Sequence, residues 1–140
     1  MNDMIRRVED DEPMIGEFIG REFSDYAVEN GVELNYDDFC FAEEEDGKIL
    51  GVINGRAYYD EVHVNDLIVD RSCRRSGLGS RLVSIVEETY KNRGYAKITL
   101  TTFGFQAPEF YKKLGFQVEY VRENKDPKLS KYFLCKAIPS

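Results

Sequence analysis

The sequence predicts a mixed α/β domain built on a single sheet. Three observations carry this prediction. Apolar residues recur at helical spacing in two segments, at residues 14–23 and 78–90. Apolar runs of strand length lie between and after them, bounded by Gly, Pro, Asp and Asn. Read in order, the elements alternate β-α-α-β-β-β-α-β-α-β-β, which a sheet covered by helices accommodates.

Each element has a local reason. Ile5–Val8 opens as a short strand. After Asp10-Asp11, acids suited to a first helical turn, Met14, Ile15, Phe18, Ile19 and Phe23 form one helical face, and Gly31 ends a second short helix. Phe39–Glu43 and Ile49–Tyr59 are strands joined by a charged hairpin around Asp46-Gly47. Val62–Val69 is the next strand. By period two, Val62, Val64, Asp66 and Ile68 share one face, and His63, Asn65, Leu67 and Val69 the other. Leu78, Leu82, Ile85, Val86 and Tyr90 are the stripe of a helix, with Gly94 at its C-terminal cap. Ala96–Thr102 is a strand with Ile98 and Leu100 inward. Pro108 opens a short helix carrying Phe110, Tyr111 and Leu114, and Gly115 closes it. Phe116–Val121 and Tyr132–Lys136 complete the sheet.

Composition narrows the function. At 140 residues the chain fits one domain, 1–140, with neither repeat nor linker. Nine Phe and nine Tyr supply a packed core, which excludes intrinsic disorder. No apolar run approaches the roughly 18 residues of a membrane span, and Met1–Arg7 lacks the apolar stretch of a secretory signal. Three cysteines, far apart and without a histidine cluster, argue against both a disulfide framework and a metal site. A reducing cytoplasm is the expected compartment. The net charge of −7 disfavours nucleic acid and anionic membranes as partners. Against that acidity, Arg71, Arg74, Arg75 and Arg81 lie within eleven residues that hold no acid. An acidic chain with one concentrated basic loop points to an anionic ligand there.

That loop is the most informative segment. In Asp70-Arg71-Ser72-Cys73-Arg74-Arg75-Ser76-Gly77-Leu78-Gly79-Ser80-Arg81-Leu82, a strand feeds a glycine-containing loop and a helix follows. Glycines let backbone approach an anion closely, and a helix start offers unpaired N–H groups and a positive dipole end. The G-x-x-x-x-G-K-[ST] phosphate loop does not match, and the G-x-G-x-x-G turn fails because Leu82 occupies its third glycine. The spacing that fits is R-x-x-G-x-G, filled by Arg74, Gly77 and Gly79.

Here the chain resembles the GNAT superfamily of N-acetyltransferases, whose R/Q-x-x-G-x-G/A loop grips the coenzyme A pyrophosphate. A second block, Ala107-Pro108-Glu109-Phe110-Tyr111-Lys112-Lys113-Leu114-Gly115-Phe116, is similar to the family's A-x-x-F-Y-x-x-x-G-F. The resemblance covers nearly the whole chain. It implies a single central mixed sheet flanked by helices, and acetyl-CoA as co-substrate with no metal. The pantetheine arm would pair with the main chain of Leu67, Ile68 and Val69. The pyrophosphate would sit on the N–H groups of Arg75, Ser76, Gly77, Leu78, Gly79 and Ser80, with Arg74 adding charge. Tyr111 stands at the family's position for the general acid that protonates the departing thiolate. Family members often carry Asn where Gly104 stands here, and Gln106 is the residue expected to take over that contact.

The base that frees the acceptor amine has three candidates. His63, the sole histidine, lies on the central strand with a reference pKa suited to taking a proton near neutrality. Asp66 is the alternative, on the other face of the sheet and needing burial to serve. Glu61 is the third. A main-chain N–H near Val69 would stabilise the tetrahedral oxyanion. The expected activity is acetyl transfer from acetyl-CoA to a primary amine by direct attack in a ternary complex. The alternative is a non-catalytic acyl-CoA-binding sensor on the same fold. The acceptor is expected to be a cationic small molecule or basic peptide, selected by the first helices, Tyr58–Glu61 and Glu123–Lys131. The chain is expected to act as a monomer or homodimer.

Overall fold

A computed structural model describes residues 4–139, which fall into two compact units, the first ending at Leu34 and the second beginning at Asn35. In the first unit one helix, α1 (Pro13–Glu29), starts with Pro13 in its first turn, where the missing N–H costs nothing. It ends in a Schellman motif. Gly31 takes a left-handed φ of +69°, its N–H donates to the Val28 carbonyl, and the Val32 N–H donates to the Ala27 carbonyl. Gly31 therefore ends the same helix rather than a second one, because no breaker interrupts residues 21–29. Ile5–Val8, expected as a strand, has no regular structure. Four residues including two arginines bury too little apolar surface to hold a ladder.

The second unit is built on one sheet. Among the described residues its six strands are β1 (Asp37–Glu45), β2 (Lys48–Tyr58), β3 (Glu61–Val69), β4 (Lys97–Phe103), β5 (Gln117–Arg122) and β6 (Lys131–Ala137), in the order β1-β2-β3-β4-β6-β5. Every neighbouring pair is antiparallel except β3 with β4. The fold is the expected mixed α/β class. The β1–β2 turn is Asp46-Gly47 with both φ angles positive, as a two-residue hairpin of matching twist requires.

One face of the sheet is covered by α2 (Leu78–Tyr90), which buries Leu78, Leu82, Val83, Val86 and Tyr90. They meet Ile53, Ala57, Val62, Val64, Ile98, Leu100 and Leu134. Val83 takes the core place expected of Ile85, which is exposed. The helix ends at Lys91, and Gly94, with φ +90°, serves the turn that follows. A third helix, α3 (Pro108–Lys113), adds Tyr111 to the core.

The strand faces need one correction. Asn54 pairs with Asp66 and Gly55 with Val64, so Asn65 is an extra residue in β3, a β-bulge. The bulge reverses the alternation. Val62 and Val64 are buried, but beyond Asn65 it is Leu67 and Val69 that pack against the core, while Ile68 is 68% exposed. His63 and Asp66, expected on opposite faces, therefore share one. Two β2 residues make the bulge possible. A Cβ at Gly55 would overlap the His63 carbonyl, and the Asn54 side-chain oxygen accepts the Asp66 N–H at 3.0 Å.

Candidate active site

Beside the bulge, the sheet opens. The parallel ladder joins only Glu61, Val62 and His63 to Lys97, Ile98 and Thr99. Past that point β3 continues to Val69 on β2, and β4 continues to Phe103 on β6, with no ladder between them. The main chain of Leu67, Ile68 and Val69 thus pairs with β2 on one side and borders a gap on the other. From His63 to Val69 this open edge is about 20 Å long at strand rise. It has the length and unpaired groups to take an extended amide-bearing arm.

The edge leads into the basic loop. Asp70 closes its first turn: its carboxylate accepts the Ser72 N–H at 3.0 Å and also the Ser72 hydroxyl. The Ser72 hydroxyl, then the Ser72 N–H, hold the Asp70 carboxyl below its ordinary range. A one-turn 3-10 helix (Arg71–Cys73) follows, and the chain turns through left-handed Arg75 (φ +66°) and Gly77 (φ +84°) into α2. Gly77 occupies the N-cap position, and no side chain caps the helix. The first intrahelical bond runs from the Arg81 N–H to the Gly77 carbonyl, so the N–H groups of Leu78, Gly79 and Ser80 precede it and are free for an anion. Ser76 differs, because its N–H donates back to the Cys73 carbonyl. Arg74 and Arg75 are exposed, while Arg81 reaches the Ser76 carbonyl and Glu43. An open strand edge ending at an uncapped helix start beside exposed guanidinium groups fits a pantetheine–pyrophosphate ligand.

The second sequence block packs against the first. A Cβ at Gly79 would stand 2.9 Å from Cζ of Phe110. Phe110 meets Tyr111 edge-on with centroids 5.1 Å apart, and Tyr111 meets Phe116 at 5.6 Å. The Tyr111 ring is buried, and burial pushes its phenol above the ordinary value. Among the described residues its hydroxyl has no hydrogen-bond partner, so it keeps its proton free to donate.

Gly104 and Gln106 have structural work in the β4–α3 turn. A Cβ at Gly104 would overlap the Pro127 carbonyl, while the Gly104 N–H donates to the Ser130 carbonyl at 2.8 Å. The close approach of these two loops is why no asparagine stands there. The Gln106 side-chain oxygen accepts the Phe103 N–H at 2.8 Å and the Thr102 hydroxyl at 3.2 Å. Only its amide N–H groups remain for a ligand.

On the face opposite α2 lie two hollows that share His63 and Tyr58. One, of about 550 Å³, is lined by Asp38, Asn54, Arg56 and Asn65. The other, of about 380 Å³, is lined by Glu61, Thr99, Thr101, Glu119 and Phe133. His63 Nδ1 lies 2.8 Å from Thr99 Oγ1, and that hydroxyl donates to Glu61 Oε2 at 2.6 Å. Asp66 is exposed, so the burial required of it as a base is absent. Sequence reading did not find Thr99 or Glu119, which carry no motif, whereas Tyr58 lies in the Tyr58–Glu61 segment expected to select the acceptor. The Asn54-Gly55 pair inside an apolar strand was the one available signal of the bulge.

Comparison with known proteins agrees with this fold. The sequence pattern of the Acetyltransferase (GNAT) family matches residues 3–116. The chain is 30% identical over 99 residues to a blasticidin-S acetyltransferase of Streptomyces morookaense, covering 70% of this chain and 73% of that one. It is 32% identical to an acetyltransferase from Bacillus cereus, whose crystal structure superposes with a TM-score of 0.76 over 94% of this chain and 97% of that one. An aminoglycoside 6'-N-acetyltransferase complexed with coenzyme A shares the fold at 17% identity, with a TM-score of 0.61 over 96% of this chain and 97% of that one. The chain belongs to the GNAT acetyltransferase family.

Proposed function

We propose that this protein transfers acetyl from acetyl-CoA to the primary amine of a cationic small molecule or basic peptide, within one acetyltransferase domain spanning 1–140. The observation that carries the reading is the unpaired edge of β3, which runs from the bulge to the uncapped start of α2. A coenzyme laid on it has its pyrophosphate at Gly77–Ser80 and its pantetheine along Leu67–Val69. Its thioester then lies toward the bulge, so the N–H that meets the oxyanion belongs to the bulge end of the edge rather than to Val69.

Holding amine and thioester together supplies much of the acceleration. The amine nitrogen attacks the thioester carbonyl carbon, its proton passes to His63 Nε2, the C–S bond breaks, and Tyr111 protonates the leaving thiolate. Support for Tyr111 is its buried ring and a hydroxyl without a hydrogen-bond partner among the described residues. Support for His63 is its place in the last β3–β4 pair, opening into both hollows. Glu61 and Glu119 border one hollow, and the chain carries −7 overall, which favours a cationic acceptor. The similarity to a blasticidin-S acetyltransferase supports a small-molecule acceptor. The three cysteines are free thiols, consistent with a reducing cytoplasm.

The test is release of free thiol from acetyl-CoA across a panel of polyamines, aminoglycosides, nucleoside antibiotics and basic peptides, alongside calorimetry with coenzyme A. Turnover with at least one cationic amine is expected. Micromolar coenzyme binding with no thiol release from any amine would turn the reading to an acyl-CoA sensor.

A further inference from the structure

Three side chains from two strands form one hydrogen-bonded line on the sheet face opposite α2: Glu61 and His63 from β3 and Thr99 from β4. Its direction follows from counting protons. A carboxylate only accepts, so the Thr99 hydroxyl spends its single proton on Glu61. The same oxygen can then meet His63 Nδ1 only as an acceptor, and Nδ1 must carry a hydrogen. A neutral imidazole with Nδ1–H has its lone pair on Nε2.

We infer that Glu61 and Thr99 are positioning residues that hold His63 in the Nδ1–H tautomer, presenting Nε2 as the proton acceptor toward the acceptor-amine hollows. This rests on the proposed role of His63 as base. The amine proton goes to Nε2, giving an imidazolium whose Nδ1–H still donates to Thr99 and whose charge faces Glu61 through that hydroxyl. The proton later leaves to solvent, and the line returns to its starting state with nothing else consumed. Glu61 thus acts on His63 through the Thr99 hydroxyl, a role different from that of the base.

The surroundings favour this direction. Lys97 is the nearest cation on β4, and its ammonium pairs with Asp60 at 3.4 Å rather than with Glu61. Arg56 lies opposite His63 on β2 but is held by Asp38. Glu119 of β5 borders the same hollow, and Cys135 of β6 stands opposite Thr99 with its thiol pushed up by burial, so neither adds positive charge. Tyr58 of β2, also pushed up by burial, stays neutral.

A chain with one histidine allows a direct test. Nitrogen-15 NMR of the wild-type protein at about pH 8.5, well above the histidine reference of ~6.5, should show a protonated Nδ1 and an unprotonated Nε2. In Thr99→Val, nearly the same size, the proton should move to Nε2. Turnover should fall by about tenfold or more, with KM for acetyl-CoA unchanged, and Thr99→Ser should restore both. Glu61→Gln should reverse or mix the tautomers. A wild-type ring protonated on Nε2, or a tautomer indifferent to Thr99→Val, would overturn the inference. Full turnover in His63→Ala would instead remove the base from the proposed function while leaving the tautomer in place.

Discussion

Gly79 and Phe110 occupy one gap between α2 and α3, with room for a ring edge or a side chain at Gly79 but not both. The two blocks that announce this family are therefore in contact. Gly79 serves packing as well as any close approach of a pyrophosphate. Gly79→Val is expected to lower stability by about 1–3 kcal/mol, the usual cost of overpacking, and to weaken coenzyme A binding. Adding Phe110→Leu should return part of the stability, because the two sites share the gap. It should not return the affinity. Thermal unfolding and calorimetry on the single and double variants separate the two effects. Affinity fully restored with the packing would show that the pyrophosphate does not approach Gly79.

Gly104 has a similar dual reading and a simpler answer. The space that an asparagine side chain needs is filled by the Pro127 carbonyl. Gly104→Asn is expected to cost about 2 kcal/mol or more, since backbone rather than a flexible side chain must move, without improving coenzyme affinity. Denaturant unfolding with calorimetry checks both. A stable variant that binds coenzyme A more tightly would mean that the Pro127–Leu129 turn yields easily.

What could be read in advance follows a physical division. The Asp46-Gly47 hairpin, Pro108 at a helix start and the R-x-x-G-x-G loop each depend on residues a few positions apart, so their local chemistry is legible. The stripe of α2 was legible except at Val83 and Ile85, which flank it on opposite sides of the helix, so that the sheet beneath decides which edge is buried. The bulge was not legible. Period two holds only while both strands advance together, and the register shift at Asn65 depends on Gly55 and Asn54 of another strand. The same holds for the line through Thr99, which joins residues 36 and 38 positions apart. His63 was marked by type, the loop by spacing and Tyr111 by the resemblance of its block to the family's, whereas the partners of His63 are set by strand pairing.

Tyr111 yields a prediction with a definite sign. Burial raises its phenol above the ordinary value of 10.0, so the acid form persists to a higher pH than in free tyrosine. The alkaline fall in turnover due to loss of this proton should therefore lie above pH 10, not below it. Tyr111→Phe keeps the ring against Phe110 and Phe116 and removes the hydroxyl. Turnover is expected to fall by roughly 10- to 10⁴-fold, with coenzyme affinity little changed. Steady-state kinetics with a productive amine and calorimetry with coenzyme A check this, and unchanged turnover would return Tyr111 to a purely core role.

The bulge decides between His63 and Asp66. Because Asn65 is an extra residue, both side chains lie on the face opposite α2, and placement by face no longer separates them. Their surroundings do. Asp66 is exposed and its N–H is tied to Asn54, whereas His63 is half-buried, bonded to Thr99 and open to both hollows. If His63 takes the amine proton, turnover rises with pH as the imidazolium loses its proton. His63→Ala should remove that limb and leave coenzyme binding intact, since the coenzyme is held by the β3 main chain and the loop. Asp66→Asn should leave the limb where it was. The measurement is the pH dependence of kcat for both variants with one amine whose own ionisation falls outside the range. Loss of the limb in Asp66→Asn alone would make the exposed carboxylate the base. Its survival in both variants would assign the limb to water or to the amine itself.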